Sequence, residues 1–318
     1  MRGLWLEDQK LSYCSDLPTP EPGLDVALIR MDLAGICATD LEMTHGYYPF
    51  SGVPGHEFVG EVVRAPGYEV WEGARVVGEI NLTCGECRAC QAGRTHHCEN
   101  RKVLGILEKD GVFAEYFTLP VENLHTVPDT VTDEQAVFTE PLAAALEIQQ
   151  QVHIQPGMQV LVVGAGRLGM LIAQTLKLTG CDLQVVVRRE APVRLLADYG
   201  IQSIFVEDVA ENMADLVVEA TGSPDGFELS RNAVRPLGTM VLKSTFAGDV
   251  SLNLSALVVD EVTLVGSRCG PFEPALQLLE AGLVNPLPMI DAVFSLAEGL
   301  AAFDKASDHG VLKVLIQG

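Results

Sequence analysis

Hydrophobic positions along this chain fall into two regimes. Up to Pro120 they form short runs, Val26 to Leu33, Phe58 to Val63, Ala74 to Gly78 and Gly111 to Pro120, broken by Pro18, Pro20, Pro22, Gly23, Pro66 and Gly67. Short runs punctuated in this way predict a β-rich, barrel-like domain. From Asp133 to Ile148 the pattern turns helical, with Pro141 suited to a first helical turn and Glu140 at the helix start. Beyond Gln159 the runs become almost purely aliphatic: Gln159 to Val163, Leu183 to Val187, Ala214 to Ala220, Gly238 to Lys243 and Val262 to Gly266. Aliphatic strands alternating with helices predict a parallel, doubly wound sheet, so the fold class is α/β. A last run, Gly310 to Ile316, reads as a strand that returns to the first domain.

Length agrees with two domains, since 318 residues exceed what one core usually serves. The first residues hold no apolar signal segment and no window is apolar enough to span a membrane, so a cytoplasmic protein is expected. The net charge of −22 repels phosphate backbones and argues against nucleic-acid binding.

Eight cysteines change the picture more than the charge does. Cys84, Cys87, Cys90 and Cys98 follow C-x2-C-x2-C-x7-C spacing, which can place four thiolates around one Zn²⁺. Four thiolates leave no open position, so a structural zinc lobe is expected over 81–101. Upstream, Cys37, Asp40, His56 and Glu57 bring together a thiol, an imidazole and two carboxylates, a donor set that suits zinc over magnesium or calcium. Read alone, this stretch is equally compatible with a buried cysteine beside a surface His-Glu pair. Glu140 is by itself either a cleft residue or an ordinary acid favoured by its helix terminus.

Gly164-Ala165-Gly166-Arg167-Leu168-Gly169 follows an aliphatic strand and opens an amphipathic helix, the setting in which G-x-G-x-x-G binds a dinucleotide. The next strand runs into Arg188 and Arg189 with no acid at the ribose position, which favours NADP(H); Glu190 keeps NAD(H) open.

Together, the Cys37-Ala38-Thr39-Asp40 stretch, Gly55-His56-Glu57, the four-cysteine lobe, Glu140-Pro141 and the glycine fingerprint resemble the zinc-containing medium-chain dehydrogenase/reductase family, across essentially the whole chain. The resemblance implies a GroES-like β-barrel catalytic domain over 1–150, completed by 286–318, with a Rossmann domain over 151–285 inserted. It implies an alcohol, polyol or sugar dehydrogenase with two zinc ions per chain and a cleft holding zinc, nicotinamide and substrate. Cys37, His56 and Glu140 would be the catalytic ligands, Glu57 a transient ligand or neighbour, Asp40 a support and Thr39 the proton acceptor. Cofactor contacts would come from Gly164, Gly166, Arg167, Leu168, Gly169, Arg188, Arg189, Thr221, Ser267 and Arg268. Glutamate at 140 places the chain nearer to sorbitol, glucose and threonine dehydrogenases than to liver-type alcohol dehydrogenases. A homodimer or homotetramer is implied, joined through Rossmann strands, with Leu283 to Phe294 the expected contact.

The chain departs from the family in having Glu42 where a relay histidine is common, with His45 close by. Its loops between Cys37 and Cys84 and between Val187 and Ala214 are short. Two other classes stay open: a zinc-free enone or quinone reductase, and a non-catalytic NAD(P)-binding relative.

Overall fold

The chain begins with a hairpin, β1 (Gly3–Glu7) against β2 (Lys10–Cys14), turned by Asp8 and Gln9 in left-handed conformations. The computed structural model describes residues 1–47, 49–245 and 249–318. After the hairpin, β3 (Val26–Gly35) becomes the hub of the first unit. Its Ala27, Ile29 and Met31 are buried, as the alternation predicts. The helix α1 (Ala38–Thr44) follows it, and β4 (Glu57–Arg64) returns antiparallel along it. Next come β5 (Arg75–Gly78), β6 (Asn81–Leu82), the short helix α2 (Arg88–Gln91), β7 (Lys102–Val103), β8 (Tyr116–Pro120), β9 (Leu124–Thr126) and α3 (Asp133–Ala136).

Of the strand expected over Gly111 to Pro120, only β8 enters the sheet, against β3. Gly111, Val112 and Phe113 instead donate their N–H groups to the carbonyls of Val53, Gly55 and Pro54. A Cβ at Gly105 or Gly111 would collide with Gly55 O, so glycines are what allow this approach. The segment leading to His56 is thereby fixed from behind.

The helix α4 (Thr139–Gln151) carries the chain into the second unit, with Pro141 in its first turn. There the order is β10 (Gln159–Val163), α5 (Arg167–Lys177), β11 (Asp182–Val187), α6 (Ala191–Asp198), β12 (Gln202–Phe205) and β13 (Ala214–Glu219). It continues with α7 (Pro224–Ala233), β14 (Val234–Leu242), α8 (Leu254–Val259) and β15 (Thr263–Gly266). The six strands are parallel and ordered β12-β11-β10-β13-β14-β15, the doubly wound arrangement in which strand order reverses beside the first strand.

The chain then leaves through α9 (Phe272–Glu280), β16 (Ile290–Ser295), α10 (Gly299–Ala306) and β17 (Lys313–Gln317). In the first unit β17 pairs antiparallel with β3, giving a sheet ordered β16-β17-β3-β4-β5-β9 with β8 also on β3. Edge-to-face contacts of Phe58 with Phe117 and of Phe113 with Phe303 fill its core, the second tying the C-terminal segment to the barrel.

The compact units are Met1–Glu140 with Phe272–Gly318, and Pro141–Pro271. The divisions fall earlier than the expected 150/151 and 285/286, because α4 past its first residues and α9 pack with opposite units. Leu283 to Phe294, expected to lie among the Rossmann strands, instead runs into β16, an edge strand of the first unit's sheet, and the nucleotide-binding sheet has β12 and β15 as its edges.

Candidate active site and metal centres

Antiparallel pairing places Gly35, the end of β3, opposite Glu57, the start of β4. The residues just beyond those ends, Cys37 and His56, are therefore brought side by side. Sγ of Cys37, a ring nitrogen of His56 and a carboxylate oxygen of Glu57 all lie within 4.8 Å of one another. His56 and Glu57 are buried and Cys37 is half-buried. A Cβ at position 35 would collide with Glu57 Oε2, so the glycine makes room for the carboxylate.

Asp40, fully buried in α1, organises this corner. Its Oδ2 accepts the Cys37 N–H at 2.8 Å and its Oδ1 stands 3.3 Å from His56 Nδ1. A carboxylate at Nδ1 fixes the imidazole and leaves Nε2 for a metal. Burial weighs against charge on His56, but Asp40, seconded by Cys37, outweighs it and raises the histidine's pKa well above its ordinary value. A field that favours a proton there also favours a cation. Thr39 Oγ1 lies 3.8 Å from Cys37 Sγ.

Glu57 has a partner that sequence reasoning missed. Its Oε2 accepts from Nζ of Lys313 in β17, both side chains are almost wholly buried, and the ammonium also lies 5.3 Å from the Phe138 ring centroid. The available signal was a lysine inside the apolar strand Lys313–Gln317. Glu140, half-buried in the first turn of α4, is not among the donors drawn within 4.8 Å of one another. The donors the fold gathers are thus Cys37, His56 and Glu57, the last expected as a transient ligand or neighbour.

The four-cysteine lobe has the dimensions of a zinc site. Sulfur separations are 3.5 Å for Cys87–Cys90, 3.5 Å for Cys84–Cys98 and 3.9 Å for Cys87–Cys98. A tetrahedron with Zn–S bonds of ~2.3 Å has edges of ~3.8 Å. Backbone N–H groups already point at the sulfurs, from Cys84 to Cys98, from Cys90 to Cys87 and from Glu99 to Cys87. Those of Glu86 and Cys87 pull the Cys84 thiol down to about 6, whereas burial and then Cys87 push Cys90 up to about 12. His96 is not needed as a ligand: its Nε2 lies 3.7 Å from Glu79 Oε2, and His125 Nε2 lies 3.2 Å from Glu79 Oε1. These two imidazoles, His125 first, bring the Glu79 carboxyl down to about 2.

In the second unit the glycine fingerprint has the shape a pyrophosphate needs. Gly164 has φ +115°, and a Cβ at Gly169 would collide with Gly164 O. Gly166 caps α5 without a side-chain hydrogen bond, and a Cβ there would meet nothing within 4 Å. Arg167 and Leu168 open the helix, whose free N–H groups favour an anion. Arg188, Arg189 and Glu190 are exposed beyond β11. At the other strand ends, Thr221 donates through both its N–H and its Oγ1 to Glu219 Oε1, each at 2.6 Å. Ser267 is buried and Arg268 exposed.

Residues 23–129 match the alcohol dehydrogenase GroES-like domain, and residues 168–281 match the zinc-binding dehydrogenase domain. The chain is 30% identical to a sorbitol dehydrogenase of Halalkalibacterium halodurans, over 94% of this chain and 93% of that one. It is 33% identical to an L-threonine 3-dehydrogenase of Pyrococcus abyssi, over 86% of each. A zinc-binding dehydrogenase from Sinorhizobium meliloti 1021, solved bound to NADP, superposes with a TM-score of 0.92 at 29% identity, covering 100% of this chain and 99% of that one. Two matched domains, two candidate zinc centres and a doubly wound nucleotide sheet lead to one conclusion: the chain belongs to the zinc-containing medium-chain dehydrogenase/reductase family.

Proposed function

We propose that this zinc- and NAD(P)-dependent dehydrogenase oxidises a hydroxyl of a polyol, sugar or related alcohol, or reduces the corresponding carbonyl, with NADP(H) preferred. The observation that carries the reading is the buried thiol–imidazole–carboxylate cluster of Cys37, His56 and Glu57. Its donor chemistry fits zinc, with Glu140 as a further candidate ligand. A zinc ion held there would act as a Lewis acid on a substrate oxygen and make a hydroxyl easier to deprotonate.

The chain's own residues then have distinct tasks. Asp40 holds the His56 ring in one orientation, and Lys313 balances the charge of Glu57. Thr39, half-buried as the second residue of α1, accepts the substrate hydroxyl proton at Oγ1 while its own hydroxyl proton passes toward the cofactor ribose and solvent. Gly164, Gly166 and Gly169 seat the pyrophosphate on the amino end of α5, and Arg188 and Arg189 receive a 2′-phosphate. The eight free thiols suit a reducing, cytoplasmic setting. Two or four copies would associate along β15, an open edge of the nucleotide sheet, where Leu264 is 37% exposed and neighbouring Val258 and Val259 are 75% and 80% exposed.

A panel of alcohols, polyols and aldoses, run with both nicotinamide cofactors before and after chelation, tests the reading. Turnover that survives metal removal would point to a zinc-free reductase. Cofactor binding without turnover on any compound would point to a non-catalytic relative. On the best substrate, Arg188→Ala with Arg189→Ala should raise KM for NADPH about tenfold or more and leave KM for NADH within about twofold. An equal rise for both cofactors would remove the case for NADP(H).

A further inference from the structure

At the carboxyl ends of β13, β14 and β15 the hydrogen-bond ladder continues past the strands. Lys243 N–H donates to Glu219 O at 3.0 Å, and Ser267 N–H donates to Leu242 O at 3.0 Å. Lys243 directly follows the apolar end of β14, and it is only 7% exposed. A lysine at the rim of a sheet has four methylenes with which to carry its charge to water. This one turns sideways instead. Its Nζ donates to Ser267 Oγ at 3.1 Å and to Arg268 O at 2.6 Å, linking the end of one strand to the segment leaving the next. Burying an ammonium is costly unless its donors are used, so the crossing is a built feature.

The gripped segment is fixed at its far end as well. Gly270 packs so closely on α4 that a Cβ there would collide with Ala143 O. Ser267–Gly270 is therefore held between the Lys243 ammonium and the backbone of α4, all within the second unit.

In a sheet of this order, the two halves of a dinucleotide lie on opposite sides of the point where strand order reverses. The Arg188-Arg189 end of β11 belongs to the adenosine half, which leaves β13, β14 and β15 to the nicotinamide half. We infer that Lys243 is a positioning residue for the nicotinamide: by clamping Ser267 and Arg268 it holds Ser267–Gly270 as the rigid wall against which the ring is seated. This rests on the dinucleotide reading of the glycine fingerprint.

The test compares NADPH with 2′-phospho-ADP-ribose, which has the same adenosine half and no nicotinamide, by equilibrium titration of the full chain. Lys243→Met should weaken NADPH about tenfold, leave the fragment within about twofold, and abolish the fluorescence change of the bound reduced nicotinamide. Lys243→Arg, which keeps a donor charge, should recover NADPH to within about threefold. Equal weakening of both ligands, or no weakening of either, would overturn the inference. Should Lys243→Met fail to fold, Ser267→Ala removes one side of the clamp and should weaken NADPH alone, by about threefold. The same two contrary outcomes apply to it. Native protein that binds neither ligand would remove the dinucleotide reading itself, whereas native binding of both with no split in the variants removes only the role of Lys243.

Discussion

Cys37→Ala should lower turnover by about three orders of magnitude, because the Lewis acidity supplied by a catalytic zinc amounts to several kcal/mol of barrier. Zinc content should fall by about one ion per chain, and the four-cysteine lobe should keep its own. The fold should survive. Cys37 lies beyond the end of β3, half-buried, and the contact that shapes its corner comes from its backbone: the N–H donated to Asp40, which alanine retains. Asp40 and His56 would stay in place with one ligand missing. Metal analysis, thermal unfolding and steady-state kinetics on the same preparation check the three parts separately. Retention of a tenth of native activity would show that the thiol is not a ligand.

Lys313→Met should destabilise the protein by about 3–5 kcal/mol, the usual cost of breaking a buried ion pair by removing one member. Glu57 would be left 1% exposed with its counter-ion gone, and the ammonium's contact with the Phe138 ring would go too. At roughly 2–4 °C per kcal/mol for a unit of this size, the melting temperature should drop by about 10 °C. Two controls separate charge from packing. Glu57→Gln combined with Lys313→Met should recover much of the loss, because the orphaned charge is no longer there. Zinc-loaded protein should lose less than chelated protein, since a bound cation next to Glu57 supplies the missing charge. A single variant within 1 kcal/mol of native stability would mean that water or rearrangement satisfies Glu57.

Which parts of this architecture can be read from the amino acids follows from the range of the interactions involved. The aliphatic strands β10, β11, β13 and β14 are legible because each carries a buried aliphatic run, such as Val160 to Val163 and Leu216 to Val218, where both faces of a parallel sheet are covered. The four-cysteine lobe is legible because all its donors lie within one short loop, and the glycine fingerprint because its three constraints are local. The catalytic corner is legible only in part. Cys37, Asp40 and His56 are near in sequence, but the partner of Glu57 comes from β17, 256 residues away. Nothing local marks Lys313 as that partner; only strand pairing does. The same reason hid the grip of Lys243 on Ser267, a contact between neighbouring strands with a helix between them in the chain. The strand expected from Gly111 was misjudged because three of its N–H groups go to the loop before His56, a demand that no periodicity records.

The place of β17 between β16 and β3 in the first sheet bears on the order of events during synthesis. Cys37, His56 and Glu57 are made early, yet the strand that pairs with β3 and neutralises Glu57 is made about 250 residues later. At elongation rates of ~5–20 residues per second, the nascent site waits roughly 10–50 s with a half-built sheet and an unbalanced carboxylate. Until β17 is made, the Leu33–Gly35 end of β3 lacks its partner on the edge whose Val26–Arg30 stretch β8 covers. The second unit, contiguous in sequence, can close during that wait. Lys313 therefore reaches Glu57 only after the whole second unit has been made, so the first unit completes its catalytic corner later than its contiguous neighbour can fold.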